Sequence, residues 1–274
     1  MRKQTWRAKW REKGLKPEFV RRYYYTDNDG SLCFEKQRFS LRSIETGKEV
    51  DKTFLVFSAP EPIRVGESGE TSVPGLLPAY QGLMYNLTAL TDALWFGHPV
   101  YVVEGEKDCE RAGLAYPGDR AFTSSYQGGE AINARQAALF VKRKESQSPI
   151  RFIMDRDAIG AYVAYSNALA INLPNGIGGG VGVHSSRISF YYPKVKANKS
   201  DLADHIEAGY RLEDLVRVTG GEVAKIWKAT SARLAETGGS RAARMSLGSD
   251  VWRLDGQEVN WKQICADWAE RMRP

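Results

Sequence analysis

The sequence predicts an α/β fold: a mostly parallel sheet with helices on both faces, preceded by a small β-rich N-terminal subdomain and followed by a helical tail. Two observations carry this. Between residues 100 and 201, short apolar runs of strand length alternate with longer helical segments, and strands joined through helices pair in parallel. Ahead of them, residues 19–58 are rich in β-forming side chains, interrupted by the turn sequence Asp27-Asn28-Asp29-Gly30. Composition supports a folded chain. Of 274 residues, 42% are hydrophobic and 26% charged, which is enough apolar surface to offset the entropy of ordering the backbone and excludes disorder as the main state.

The elements follow in order. Phe19 to Thr26 and Ser31 to Leu41 are the two arms of a hairpin, and Lys52 to Ser58, with Phe54 to Phe57, is a third strand. Ala59 to Pro78 holds Pro, Gly, Glu and Ser and reads as a loop and a boundary. The expected domains are residues 1–75, a basic arm with the β-rich subdomain; 76–210, the α/β domain; and 211–274, the helical region. Within the α/β domain, strands are expected at Val100–Val103, Arg120–Ser124, Ile150–Met154 and Arg187–Tyr192. Helices are expected at Glu106–Ala112, Ala131–Lys144, Ala158–Asn172 and from Asp201. Gly176 to Gly182 follows a helix and reads as a flexible crossover. Beyond Tyr210, a helix runs through Glu222–Ala235, Thr237-Gly238-Gly239-Ser240 breaks it, a hairpin turns at Asp255-Gly256, and a last helix starts at Trp261. There is no internal repeat.

Apolar stretches such as Pro99–Val103 fall short of the roughly 20 residues a spanning helix needs, so no membrane partner is expected. Residues 1–7 lead into no apolar signal core, and Cys33, Cys109 and Cys265 form neither a disulfide framework nor a zinc pattern. Reduced thiols in a cytoplasmic protein are the expectation. The net charge of +6 is unevenly placed. Nine Lys or Arg against Glu12 and Glu18 give the first 22 residues +7, and the rest of the chain sums to −1. Such a segment neutralises phosphates and gains from counterion release. Trp6 and Trp10, four apart, share a helix face beside Lys13, with Arg7 and Arg11 on the same segment, and rings beside cations suit stacked single-stranded bases. The competing possibility is that both Trp dock the segment onto the core.

Acids sit where strands end. Tyr101-Val102-Val103 runs into Glu104-Gly105-Glu106, with Gly105 expected to allow a tight turn. Fifty-one positions after Glu104, Phe152-Ile153-Met154 runs into Asp155-Arg156-Asp157. In a parallel sheet, functional groups gather past the carboxyl ends of strands, and Asp155 and Asp157, two apart, can lean over one edge. Carboxylates are the ligands Mg²⁺ and Mn²⁺ prefer, and a neighbouring Glu can move a proton. Acids in a first helical turn also complement the helix dipole, and Asp108 is assigned that role.

Together, Val103-Glu104-Gly105-Glu106-Lys107-Asp108 and Asp155-Arg156-Asp157-Ala158-Ile159-Gly160 resemble the Toprim domain shared by topoisomerases and primases, and among these the phage and plasmid DNA primase type. Ser124 to Gly129 and Lys199-Ser200-Asp201-Leu202-Ala203-Asp204 look like later segments of the same proteins, and the Tyr25 to Gly30 hairpin is similar to their region before Toprim. The likeness covers about residues 20 to 210. It implies a Rossmann-like Toprim sheet, Glu104 as catalytic acid or base, and Asp155 and Asp157 as ligands of Mg²⁺ or Mn²⁺. It also implies a further metal or structural role for Asp201, with Asp204, against the equal alternative of a helix N-terminal charge followed by a solvated residue. The likeness implies phosphate contacts for Lys107 and Lys199, Lys107 being equally readable as a solvated helix residue, and in the primase reading Arg7, Arg11, Trp6, Trp10 and Tyr23 to Tyr25 are expected to face the template. Gly128 and Gly129 could offer N–H groups to an anion, though an ordinary turn before a helix is preferred. His98, His184 and His205 are too scattered for a metal cluster.

The implied activity is nucleotidyl transfer making RNA primers on single-stranded DNA from nucleoside triphosphates during replication. The alternatives are a metal-dependent nuclease, or a non-catalytic module that binds DNA or a partner. The sequence departs from the family in carrying no Cys-x-x-Cys zinc ribbon and no Gly-x-x-x-x-Gly-Lys-Ser/Thr helicase loop. A separate replicative helicase or template-reading protein is the expected partner.

Overall fold

The turn at Asp27 closes because the Asp27 side chain substitutes for missing backbone partners. Its Oδ1 accepts the Asp29 N–H at 3.0 Å and the Ser31 N–H at 2.8 Å, and Gly30 takes a φ of 79° that side chains resist. The computed structural model describes residues 6–63, 73–128, 132–141, 146–172, 183–197, 199–236, 252–254 and 257–259. The chain divides into two units, Met1–Tyr80 and Gln81–Pro274.

In the first unit, helix α1 (Trp6–Glu12) leads into strands β1 (Leu15–Thr26), β2 (Leu32–Ser43), β3 (Glu49–Ile63) and β4 (Val73–Pro74), an antiparallel sheet in that order. Tyr23, Tyr25 and Phe34 are buried together on one face, with the Tyr25 and Phe34 rings stacked at 4.2 Å. Tyr23 and Tyr25 therefore belong to the core, and of the expected template-facing tyrosines only Tyr24 is exposed. The loop expected over Ala59–Pro78 is shorter than its composition suggests. β3 continues to Ile63, and Val73 pairs with Ser58, whose hydroxyl donates to the Gly75 carbonyl at 2.8 Å and accepts the Leu77 N–H at 3.1 Å. Pro74 is tolerated because β4 is an edge.

The second unit opens with α2 (Leu87–Phe96), which the sequence analysis does not assign, followed by β5 (Val100–Val102), α3 (Glu106–Ala115), β6 (Ala121–Thr123), α4 (Ala134–Val141), β7 (Ile150–Ile153), α5 (Ala158–Asn172), β8 (Ile188–Tyr192), α6 (Leu202–Glu207), β9 (Val216–Val218) and α7 (Gly220–Glu236). The sheet order is β6-β5-β7-β8-β9, parallel throughout except for β9, which pairs antiparallel with β8. Residues 211–236, expected as a helical tail, thus first supply an edge strand.

Pleating sends Val100, Val102, Ile150 and Phe152 into one core with α2, α4, α5 and α7. On the opposite face the Tyr101 and Phe122 rings stack at 4.9 Å, on the side covered by α3 and α6. Helix α5 is buried from Gly160 to Ile171 on all sides, held between β7, α4 and α7, which is why its sequence shows no polar stripe. Strands β10 (Trp252–Leu254) and β11 (Gln257–Val259) pair antiparallel around the expected turn. The turn itself, the Gly176–Gly182 crossover, Thr237–Ser240 and the helix from Trp261 lie outside the described residues. Among the described residues no helix is long and apolar enough to cross a membrane.

Candidate active site

The strand order creates the site. From β5 the chain moves one way to β6, then crosses back to β7 on the other side of β5, so the connections diverge at the carboxyl ends of β5 and β7. Glu104 follows β5 and Asp155 follows β7, and the two strands pair in register from Val100↔Ile150 to Val102↔Phe152. Glu104 and Asp155 line one cleft together with Val102, Phe152 and Val163.

Two carboxyls on one cleft cannot both ionise cheaply. Burial first, and then the charge and hydrogen bond of Glu104, push Asp155 up to about 9, with Asp108 and Asp201 adding to the effect. Asp108 is itself pushed up to about 7, by burial first and then by Asp201, against the opposing pull of Lys107 and of an Ala203 N–H. Asp108 stands in the first turn of α3 as expected, and it does more there than face the helix dipole. It is buried, and its Oδ1 accepts the Ala203 N–H at 3.1 Å, capping α6 from a neighbouring helix. Its place four residues after Glu104, on the inward side of α3, is the signal that could have found it.

Asp201 caps α6. Its Oδ1 accepts the Asp204 N–H at 2.9 Å, Asp204 returns the bond to the Asp201 N–H at 3.1 Å, and Asp201 Oδ2 takes the Lys107 ammonium at 2.8 Å. Burial is the largest single effect and works against the Lys107 charge, but the Asp201 hydrogen bond and the charges of Asp201, Asp108 and Asp204 together outweigh it and raise the amine above the usual lysine range. Glu104, Lys107, Asp108, Asp155 and Asp201 thus form one electrostatic cluster.

Asp157 has a different task. Its Oδ1 accepts the Gly160 N–H at 2.7 Å, capping α5. Between the two aspartates, Arg156 is the tie the motif hides. Its N–H donates to the Ser200 carbonyl at 3.0 Å, its carbonyl accepts the Lys199 N–H at 3.3 Å, and its guanidinium donates to the Pro193 carbonyl at 2.9 Å. The loop after β7 is thereby fastened to the start of α6. Lys199 is exposed and holds a left-handed φ of 62° in that junction. The demanding glycine of the site is Gly160 and not Gly105. Gly105 is extended with room beside it, whereas a β-carbon on Gly160 would lie 2.5 Å from the Asp155 carbonyl oxygen. Gly128 lines the cleft, and its N–H donates to the Ser125 carbonyl at 3.0 Å as in an ordinary turn; Gly129 lies outside the described residues.

In the first unit, Trp6 packs on Phe39 with ring centroids 4.9 Å apart, so it docks α1 on its sheet, and Lys13 lies 5.2 Å over the Trp10 ring. Arg7 and Arg11 are exposed.

Among the described residues no group of three or more His, Cys, Asp or Glu is placed to hold a metal ion. The donors that share the cleft are two hard carboxyls. That set fits Mg²⁺ or Mn²⁺, which are held by one or two carboxylates with water and phosphate oxygens completing the shell.

No family model and no curated protein matches the chain. Among solved structures it is similar to the primase fragment of the bacteriophage T7 primase-helicase protein, at 16% identity over 75% of this chain and 68% of that one, with a TM-score of 0.41. It is similar to the RNA polymerase domain of Mycobacterium tuberculosis primase DnaG at 11% identity, over 94% and 70% of the two chains, with a TM-score of 0.44. The E. coli primase catalytic core is 11% identical over 81% and 61%, with a TM-score of 0.42. At these identities and TM-scores the likeness carries no chemistry; the residues at the switch point do.

Proposed function

We propose that this chain is a Toprim protein of the DNA primase type, a Mg²⁺- or Mn²⁺-dependent nucleotidyltransferase that joins ribonucleotides on single-stranded DNA during replication. The observation that carries the proposal is the placement of Glu104 and Asp155 at one cleft, past the carboxyl ends of the paired strands β5 and β7. It accompanies the resemblance of Val103–Asp108 and Asp155–Gly160 to Toprim motifs.

Asp155 would hold the divalent ion, with Asp157 contributing an oxygen its capping bond does not use, and Glu104 stays free to take a proton. When bound, the ion supplies charge neutralisation at the triphosphate and keeps both carboxylates ionised. The chain's own groups do the rest. The 3′ hydroxyl of the growing primer gives its proton to Glu104 as its oxygen bonds to the α-phosphorus, and the bond to pyrophosphate breaks. Asp155 orients Glu104, Arg156 keeps Asp155 in place, and Arg7 and Arg11 neutralise template phosphates. A separate replicative helicase or template-reading protein is the partner this reading expects.

The test incubates the full chain with single-stranded DNA, labelled nucleoside triphosphates and Mg²⁺ or Mn²⁺, beside Asp155→Asn. Metal-dependent products that lengthen, and that fall at least about a hundredfold in the variant, are expected. Shortened DNA would make the same carboxyl pair a nuclease site. DNA binding with no product from either protein, with or without a replicative helicase added, would leave a binding module and refute the enzyme.

A further inference from the structure

We propose that Asn167 is a specificity-determining residue of the cleft, whose amide donates a hydrogen bond to the ribose 2′ oxygen of a bound nucleoside triphosphate and so favours ribonucleotides over deoxyribonucleotides. This rests on the reading of Asp155 as the residue that holds the triphosphate through its divalent ion. Asn167 lines the same cleft as Glu104 and Asp155 and is only 6% exposed. Its Oδ1 accepts the Ile132 N–H at 2.7 Å. Exchanging the amide oxygen and nitrogen would set two donors against each other, so this bond fixes the orientation of the group. Among the described residues nothing accepts from Asn167 Nδ2. A buried N–H without a partner costs free energy until an acceptor reaches it.

The anchor is itself held. Gln136 is fully buried, its Oε1 accepts the Asn133 N–H at 3.0 Å and the Ser125 hydroxyl at 3.3 Å, and its Nε2 donates to the Leu83 carbonyl at 2.9 Å. The segment from Ile132 into α4 is therefore set before any ligand arrives, and the Asn167 amide with it. Ser125 also lines the cleft, but its hydroxyl is spent on Gln136 and on the Gln127 N–H. The remaining wall, with Val102, Phe152, Val163 and Ala164, is apolar. Such a wall beside two carboxyls disfavours an unpaired anion, and an N–H donor disfavours a cation, so the occupant is neutral and presents an acceptor. In a nucleoside triphosphate the first neutral group after the phosphates is the ribose. Asn167 follows Gly160 on α5 by two helical turns, about 10 Å along the axis, and Gly160 lies against the Asp155 backbone. A ribose whose phosphates are held at Asp155 falls within that span.

The experiment is isothermal titration calorimetry of ATP and 2′-deoxyATP into the full chain, with Mg²⁺ and no DNA. Wild type is expected to bind ATP about tenfold more tightly than its deoxy form, and UTP over 2′-deoxyUTP by a similar factor. Asn167→Asp keeps the oxygen that Ile132 needs and removes the donor. Its added charge acts on both nucleotides alike, so the ratio of their affinities should fall to about one. Equal affinities of wild type for ATP and 2′-deoxyATP, which no variant has to fold to reveal, would overturn the proposal and leave the amide to a water molecule. A preference for one base with none for the ribose would overturn it in favour of a base contact. Asn167→Asp keeping the wild-type ratio, or wild type binding neither nucleotide, overturns it as well. The reading of Asp155 fails separately, if Asp155→Asn binds ATP in Mg²⁺ as tightly as wild type does.

Discussion

At the scale of residues, the site is a problem in proton accounting. Asp155, raised from 3.8 to about 9, and Asp108, raised from 3.8 to about 7, keep protons in the folded state that the unfolded chain releases. Their contribution to stability is complete below about pH 4 and is lost as pH rises, through about 7 for Asp108 and about 9 for Asp155. Urea unfolding in EDTA should therefore show stability falling as pH rises from 7 to 9, with Asp155 contributing a slope of up to about 1.4 kcal/mol per pH unit. In Asp155→Asn that slope should vanish over the same window. An unchanged slope would place the proton elsewhere. Glu104 and Asp155 were legible in the sequence because the runs Tyr101-Val102-Val103 and Phe152-Ile153-Met154 stop abruptly at an acid. The second role of Asp108 was hidden from the sequence for a physical reason. An acid in a first helical turn usually serves its own helix, and only α6, arriving 95 positions later, gives Asp108 the Ala203 N–H it accepts. Asp157 was read by spacing as a neighbour of Asp155 over one edge, although an Asp immediately before an apolar helix is also a cap, and the cap is what the structure displays.

At the scale of elements, the close approach of α5 to the loop after β7 is the demanding contact. A β-carbon on Gly160 would meet the Asp155 carbonyl oxygen at 2.5 Å and the Asp155 nitrogen at 2.8 Å, and backbone atoms cannot rotate aside as a side-chain tip can. Gly160→Ala, which normally favours a helix, should here cost about 2 kcal/mol in urea unfolding and weaken Mn²⁺ binding together with it. A variant as stable as wild type would show that the approach is looser. Helix α5 itself was legible from Ala158 to Asn172, because a continuous apolar run of helical length bounded by polar turns has few other solutions. Helix α2 carried a signal that went unread, with Leu87, Leu90, Ala93 and Leu94 falling on one face. Strand β9 had almost none. Val216-Arg217-Val218 is three residues long and largely exposed, and only pairing with β8 defines it.

At the scale of the whole molecule, charge is divided between the units. The first 22 residues carry +7, while the second unit gathers its carboxyls around the β5–β7 switch point. If binding of single-stranded DNA is mainly phosphate neutralisation by the basic segment, and chemistry is metal-dependent at the acids, the two should respond to different ions. Monovalent salt should weaken binding along a linear log–log plot, with each phosphate contact contributing about 0.7 to the slope. Arg7→Gln with Arg11→Gln should flatten that slope by about 1.4, because both side chains are exposed and neither holds the fold. Trp6→Ala should act differently. Its ring packs on Phe39 at 4.9 Å, so its loss should lower stability by about 1 to 2 kcal/mol and affect binding only through the docking of α1. Removing divalent ions with EDTA should stop nucleotidyl transfer while leaving DNA affinity at fixed ionic strength within about twofold. Fluorescence anisotropy across a salt series, with and without EDTA, checks these points together. A salt slope indifferent to the arginines would assign the basic segment to something other than the template, and affinity collapsing in EDTA would mean that the carboxyl cluster grips DNA through its metal, so that binding and chemistry share one site.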